Sequence, residues 1–257
     1  MALTRAQIKL LQSLKQKKYR QRYNKFGVEG EKIALELLTA SPRKVELAIA
    51  LPAWAEENRK LLESSGVPLE TVSGETLEKI SSFQTPNKVY LLVSTAPASP
   101  ELQTVNTGLS LYLDGIQDPG NLGTILRIAD WFGLSAVFCA PHSVEWANPK
   151  AIQASMGSFF RTPVEYLSLA ALRERHPALP VYAASMDGES VYSASVPAAA
   201  ILVIGSESHG ISAETAQQVN AWLGIPSFGE GKTESLNAAV ATGILCAVIK
   251  GKESIRG

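Results

Sequence analysis

Cysteine is scarce in this chain of 257 residues: Cys139 and Cys246 are the only two, each inside an apolar run. Two isolated thiols exclude a disulfide scaffold and read as buried free cysteines of a reducing compartment, so the cytoplasm is expected. Histidine is scarcer than average, and the three present are scattered, which leaves no metal-ligand spacing. No apolar stretch reaches the length of about 20 residues that crosses a membrane. Formal net charge is zero, so whole-chain charge points to no partner. Acid is missing locally, however. From Met1 to Val28 there is no Asp or Glu, while Arg5, Lys9, Lys15, Lys17, Lys18, Arg20, Arg22 and Lys25 are basic. Such an arm is a footprint for nucleic-acid phosphates, or else a solvated helix face. It has no continuous apolar core, which speaks against a targeting peptide.

Hydrophobic spacing divides the chain. Leu3 to Tyr23 carries Ile8, Leu11 and Leu14 at helical intervals, with Thr4 as N-cap. A short extended piece around Phe26–Val28 leads through Gly30 into another helix. "VELAIAL", "PLETVS" and "KVYLLVST" then read as strands, with helices "AWAEENRKLLESSG" and "GETLEKISSF" between them. The alternation defines a small α/β unit over 1–96. Residues 97–108, rich in proline and small polar side chains, read as a linker. The region 109–257 alternates again, with strands such as "LSLYLD", "SAVFCA" and "AAAILVIGSE" that are nearly all apolar. Buried parallel strands look like this. The expectation is an open α/β sheet with helices on both faces and a ligand at the strands' carboxyl ends.

Three loops at those ends carry the unusual residues. In "DGIQDPGNLGTILR" a Pro-Gly turn precedes Asn121, a candidate cap, and Arg127 lies among apolar helix residues. Arg127 either serves a ligand or snorkels out to pair with an acid. "LVIGSESHGIS" hands over Glu207 just past Gly205. That carboxylate is a helix cap, or is aimed at a ligand or at Arg127. "PSFGEGKTESLN" offers Gly-Lys-Thr before a helix, the ending of a nucleotide P-loop. The P-loop needs glycine five residues before Gly231, and Pro226 stands there with a fixed φ and no N–H. The apolar strand ending in Asp114 also precedes this loop, where P-loop proteins place such a strand after it. No Gly-x-Gly-x-x-Gly follows any strand either. What remains is a polar loop at a helix start, where free N–H groups suit a carboxylate, a phosphate or an adenine edge.

Together the three stretches resemble the signature motifs of the SpoU/TrmH family of RNA 2′-O-ribose methyltransferases, in the SPOUT superfamily. The first is Asn121, Gly123 and Arg127 with trailing Phe132-Gly133. The second is Gly205, Glu207 and Gly210. The third is Ile225-Pro226 followed by Glu234, Ser235, Leu236 and Asn237. "NPKAIQASMGS" resembles the segment between the first two, and "VEGEK" the start of an L30e-like substrate-binding domain. The resemblance implies a C-terminal SPOUT domain with a deep trefoil knot, plus a smaller N-terminal L30e-like α/β domain. It implies S-adenosylmethionine as methyl donor with no metal, and a homodimer formed through the C-terminal domain. By its motifs, Gly205, Ile225 and Leu236 contact the cofactor, with Ala140 and Pro226 lining the same pocket. Arg127, Asn121, Glu207, Ser235 and Asn237 form the polar catalytic set. Lys17, Lys18, Arg20 and Arg22 are candidate RNA contacts. Ribosomal RNA is expected over transfer RNA, because a separate N-terminal domain is commoner among such enzymes. Gln153 departs from the arginine many members carry there, and the loop "SFGEGKT" is longer than the common form. A base-modifying SPOUT relative, a catalytically silent RNA-binding protein and an ATPase are the competing readings.

Overall fold

The computed structural model describes residues 3–41, 44–95, 103–229 and 235–256. The chain divides into two compact units, one of Met1–Pro97 with Ala147–Gly157, the other of Ala98–Trp146 with Ser158–Gly257. Residues 97–102 of the expected linker lie outside the described residues, and Gln103–Asn106 forms a 3-10 turn.

In the first unit, helices α1 (Arg5–Ser13) and α2 (Lys17–Tyr23) precede β1 (Lys25–Glu29). Then come α3 (Glu31–Ala40), β2 (Val45–Ala50), α4 (Pro52–Glu57), α5 (Arg59–Ser65), β3 (Leu69–Thr71), α6 (Gly74–Ile80) and β4 (Val89–Ser94). The sheet order is β1-β4-β2-β3. β4 runs antiparallel to both neighbours, while β2 and β3 are parallel. Leu11 and Leu14 of the N-terminal arm are buried with Ile49, Leu77, Ile80 and Tyr90. The arm is therefore part of the core and no detachable tail.

The single helix expected over Leu3–Tyr23 is two. Thr4 caps α1 through a full capping box with Gln7, as its position suggests. The helix then breaks after Leu14. The break frees two carbonyls, and the Arg20 guanidinium donates to both, at 2.8 Å from Leu14 O and 3.0 Å from Lys15 O. Arg20 is only 4% exposed. This corrects its assignment as an RNA contact: its charge is spent on the backbone inside the fold. Lys17, Lys18 and Arg22 are exposed on α2.

The second unit contains β5 (Leu109–Asp114), α7 (Pro119–Trp131), β6 (Val137–Cys139), and, past residues 147–157 with their helix α8 (Pro149–Ser155), α9 (Ser158–Arg161). β7 (Val164–Tyr166), α10 (Leu169–Arg175), β8 (Val181–Ser190), β9 (Ala200–Gly205), α11 (Ala213–Ala216), β10 (Ala221–Gly224) and α12 (Ala238–Arg256) follow. The six strands are ordered β10-β8-β9-β5-β6-β7, and every neighbouring pair is parallel. β5 and β6 are buried throughout, which is why their sequences show no polar alternation. Burial pushes both cysteine thiols, Cys139 and Cys246, up to about 12, so neither ionises near neutrality. Among the described residues, no helix is long and apolar enough to cross a membrane.

The strand order decides where a ligand can sit. From β5 the chain proceeds one way, to β6 and β7. From β9 it proceeds the other way, to β10 at the opposite edge. The connections diverge between β5 and β9, and the crevice beyond their carboxyl ends is the switch point where open α/β sheets bind ligands.

Candidate active site

Asp114 ends β5, pairs in register with Gly205 at the end of β9, and is 3% exposed. Its Oδ2 accepts from Ser212 N at 2.7 Å, and its Oδ1 lies 3.9 Å from the exposed His142 Nε2. The carboxylate thus ties the loop after β9 to the end of β5. Four residues on, Asp118 caps α7 by accepting from Asn121 N at 2.8 Å, with Pro119 in the first helical position. Asn121 itself is therefore not the cap. It sits in the first turn, with its side chain left over for other work.

That side chain meets residues from the other two motifs. Asn121 Nδ2 donates to Glu207 Oε1. Asn237 Nδ2 donates to Asn121 Oδ1 at 3.0 Å and to Glu207 Oε1 at 3.3 Å. The other end of Asn237 fixes its orientation. Its Oδ1 accepts from Ala239 N at 3.0 Å and Val240 N at 3.3 Å, capping α12, so the amide nitrogen must face the carboxylate. Three residues far apart in sequence form one hydrogen-bonded junction at the switch point. Glu207 is engaged by two amides, and Arg127 is not its partner.

Glu207 rides on a tight loop. Ser206 N donates to Gly210 O at 3.0 Å and Gly210 N to Ser206 O at 2.9 Å. A Cβ on Gly205 would lie 2.4 Å from the Gly210 carbonyl carbon, so this loop closes only over glycine. Gly210 has φ +65°, the left-handed region that favours glycine. Beyond β10, Ile225 and Pro226 are half-buried, and Ser235, Leu236 and Asn237 are exposed. Leu236 leaves 45% of its surface open beside the polar junction. Glu234, Lys232 and the rest of the Gly-Lys-Thr stretch lie outside the described residues. Ala140 stands beneath the surface, 1% exposed, with its N–H given to Leu113 O and its C=O taken by Ser143 N. It can offer a ligand only a wall.

Arg127 is exposed on α7 and makes no hydrogen bond or ion pair among the described residues. The alternative of an arginine snorkelling to an acid is not what the structure shows. The acid one turn away, Asp130, belongs to Ser158 and Arg161. Sequence reading missed this cluster and the tie made by Asp114. The signal for the second was present, a carboxylate ending an otherwise apolar strand.

The family model described as "SpoU rRNA Methylase family" matches residues 108–247, and that described as "MRM3-like substrate binding domain" matches residues 5–90. The chain belongs to the SpoU rRNA methylase family. It is 28% identical over 249 residues to the 23S rRNA (guanosine(2553)-2'-O)-methyltransferase RlmP of Bacillus subtilis, covering 95% of this chain and 96% of that one. To the 23S rRNA (guanosine-2'-O-)-methyltransferase RlmB of Haemophilus influenzae it is 29% identical over 225 residues, 81% of this chain and 90% of that one. Among solved structures, a chain from Porphyromonas gingivalis assigned to the TrmH family of RNA methyltransferases superposes with a TM-score of 0.85 at 38% identity, covering 98% of this chain and all of that one. An AdoMet-bound rRNA methyltransferase from Sinorhizobium meliloti gives 0.84 at 26% identity, covering 98% and 97%.

Proposed function

We propose that this chain transfers a methyl group from S-adenosylmethionine to a ribose 2′-hydroxyl of ribosomal RNA. The observation that supports it most is the Asn121–Glu207–Asn237 junction, which joins all three motifs at the carboxyl ends of the strands. The surroundings fit this cofactor. Half-buried Ile225 and Pro226 and the open Leu236 offer apolar surface for an adenine ring and the methylenes beside the sulfonium, and the glycine-rich loop at Gly205 lets backbone come close. Ala140 supplies a wall.

When bound, the cofactor supplies an electrophilic methyl group on its sulfonium. The protein's task is to align the ribose hydroxyl with it, which is worth many powers of ten in rate. Asn121 and Asn237 hold the Glu207 loop in place, and Ser235 stands exposed at the mouth. Arg127 is free to meet RNA. A guanidinium keeps its proton, with a pKa above about 12, so its part is to hold a phosphate or stabilise charge developing on the ribose oxygen. Arg127→Ala should keep S-adenosylhomocysteine affinity by calorimetry and lose methyl transfer. Lost cofactor binding, or retained turnover, refutes that role.

Residues 1–96 form the substrate-binding domain on this reading, and 109–257 the methyltransferase domain. Lys17, Lys18 and Arg22 on α2 face phosphates. Because Leu11 and Leu14 are core, the test is charge removal and not truncation. Replacing the three by Gln should lower the slope of log affinity against log salt by about 0.7 per lost contact. An unchanged slope refutes the contacts. A homodimer through the C-terminal domain is supported by Trp131 on α7 and Val240 on α12, 84% and 51% exposed on two helices that pack together. The family's trefoil knot is proposed for the passage from edge strand β10 to α12, which returns against α7. The cytoplasm suits ribosomal RNA and two buried thiols.

A further inference from the structure

Arg127 and Asp130 stand three residues apart on α7. That spacing puts two side chains on one helix face, about 5–6 Å apart at Cβ, where opposite charges attract. They are nevertheless not paired with each other. Asp130 Oδ2 instead takes Arg161 Nε at 2.8 Å, Arg161 Nη2 at 2.7 Å and Ser158 Oγ at 2.8 Å. Arg161 Nη2 also donates to Ser158 Oγ at 3.3 Å. Arg161 is held for this. Its guanidinium lies 5.0 Å from the centre of the Phe160 ring, Phe160 meets Phe159 edge-on, and Phe159 stacks on Trp146. Two of its N–H-bearing nitrogens therefore reach one oxygen from a braced position. Among the described residues Arg127 has no comparable hold. An arginine N-terminal to its acid is also the weaker order along a helix.

We propose that Arg161, with Ser158, is a positioning residue: it occupies Asp130 and so keeps the Arg127 guanidinium available to RNA. The inference rests on the reading that Arg127 acts in methyl transfer. Without Arg161, Asp130 becomes an unpaired carboxylate one turn from Arg127 and draws the guanidinium onto itself for part of the time.

The test uses the full chain and ribosomal RNA, with R127A, R161A, D130N and the R161A/D130N double variant. Each is measured for kcat/KM, S-adenosylhomocysteine affinity and thermal unfolding. R161A should lower kcat/KM about threefold, the scale of an exposed ion pair. D130N should stay close to wild type, and adding D130N to R161A should restore the rate. Cofactor affinity should not move. A bridge that only braces α9 on α7 would be broken equally by D130N and R161A, with no restoration in the double variant, and that result overturns the proposal. If R127A keeps its turnover, the role of Arg127 falls and this inference with it. If R127A is inactive while R161A is normal, this inference alone falls. Should R161A fail to fold, R161M, which keeps an unbranched stem beside Phe160 but offers Asp130 no donor, takes its place with the same D130N comparison.

Discussion

Gly205→Ala is the sharpest perturbation of the site. The added methyl would lie 2.4 Å from Gly210 C, 2.5 Å from Gly210 O and 2.7 Å from Ile211 N. All three atoms are backbone, so no side chain can swing aside. The loop must open, and the two bonds between Ser206 and Gly210, at 3.0 and 2.9 Å, are the first to go. At about 1 kcal/mol per backbone hydrogen bond, the loss is about 2 kcal/mol. For a unit of this size that corresponds to a fall in Tm of about 4–8 °C. Opening the loop also carries Glu207 away from Asn121 and Asn237. Thermal unfolding by circular dichroism, S-adenosylhomocysteine calorimetry and methyl transfer to RNA should all report the damage. A variant that melts within about 1 °C of wild type and keeps both activities would show that the loop has slack the structure does not reveal, and the steric reasoning would be wrong.

Further perturbations test other links. Asn237→Asp keeps the two cap bonds to Ala239 and Val240 but sets a second carboxylate against Glu207; methyl transfer should fall at least about tenfold while Tm changes little, and unaltered turnover would show the junction to be idle. Arg20→Met leaves Leu14 O and Lys15 O unserved inside the fold and should cost about 2–4 kcal/mol in urea unfolding, which an exposed RNA-contacting arginine would not. Glu29 gives a pH signature: burial raises its carboxyl above the ordinary range, outweighing the bonds from Ser81 and Ser82 and the charge of Lys15. A group raised on folding stabilises below its unfolded pKa and loses that contribution as pH rises through the folded one. Glu29→Gln should therefore raise Tm at pH 7 and give no gain near pH 4, and equal shifts at both would remove the assignment. Asp130 runs the opposite way. Burial alone would raise it, but the bonds from Arg161 and Ser158 hold it below the usual range, so its contribution is full at neutral pH and fades as pH falls through the folded pKa. Asp130→Asn should flatten that part of the acid limb in a Tm-against-pH series.

Much of the site was legible in the chain because its motifs are local. Asn-x-Gly-x-x-x-Arg, Gly-x-Glu-x-x-Gly and Ile-Pro with Ser-Leu-Asn each need a strand end, a tight turn and a helix start, and those leave fixed residue types. Apolar runs marked the strands, since burial on both faces removes polar alternation. The misreadings came where one residue could satisfy two local rules. Asn121 looked like a cap, yet Asp118 lies one turn earlier and takes the N–H. Arg20 looked like a surface charge among surface charges, yet the break after Leu14 left two carbonyls, and the buried guanidinium donates to both.

The sequence by itself determined the class of protein, the order of the motifs and the failure of the P-loop, since Pro226 cannot stand where that loop requires glycine. Only the tertiary structure decided the partners. Asn121, Glu207 and Asn237 meet because the chain leaves β5 and β9 in opposite directions and opens a crevice between them. Among the described residues Arg127 has no partner, and Arg161, from a different helix, already holds the acid it would have met. Periodicity and spacing act within one element. Which charges neutralise one another is a matter of distance in space, and that is fixed only once the elements are packed.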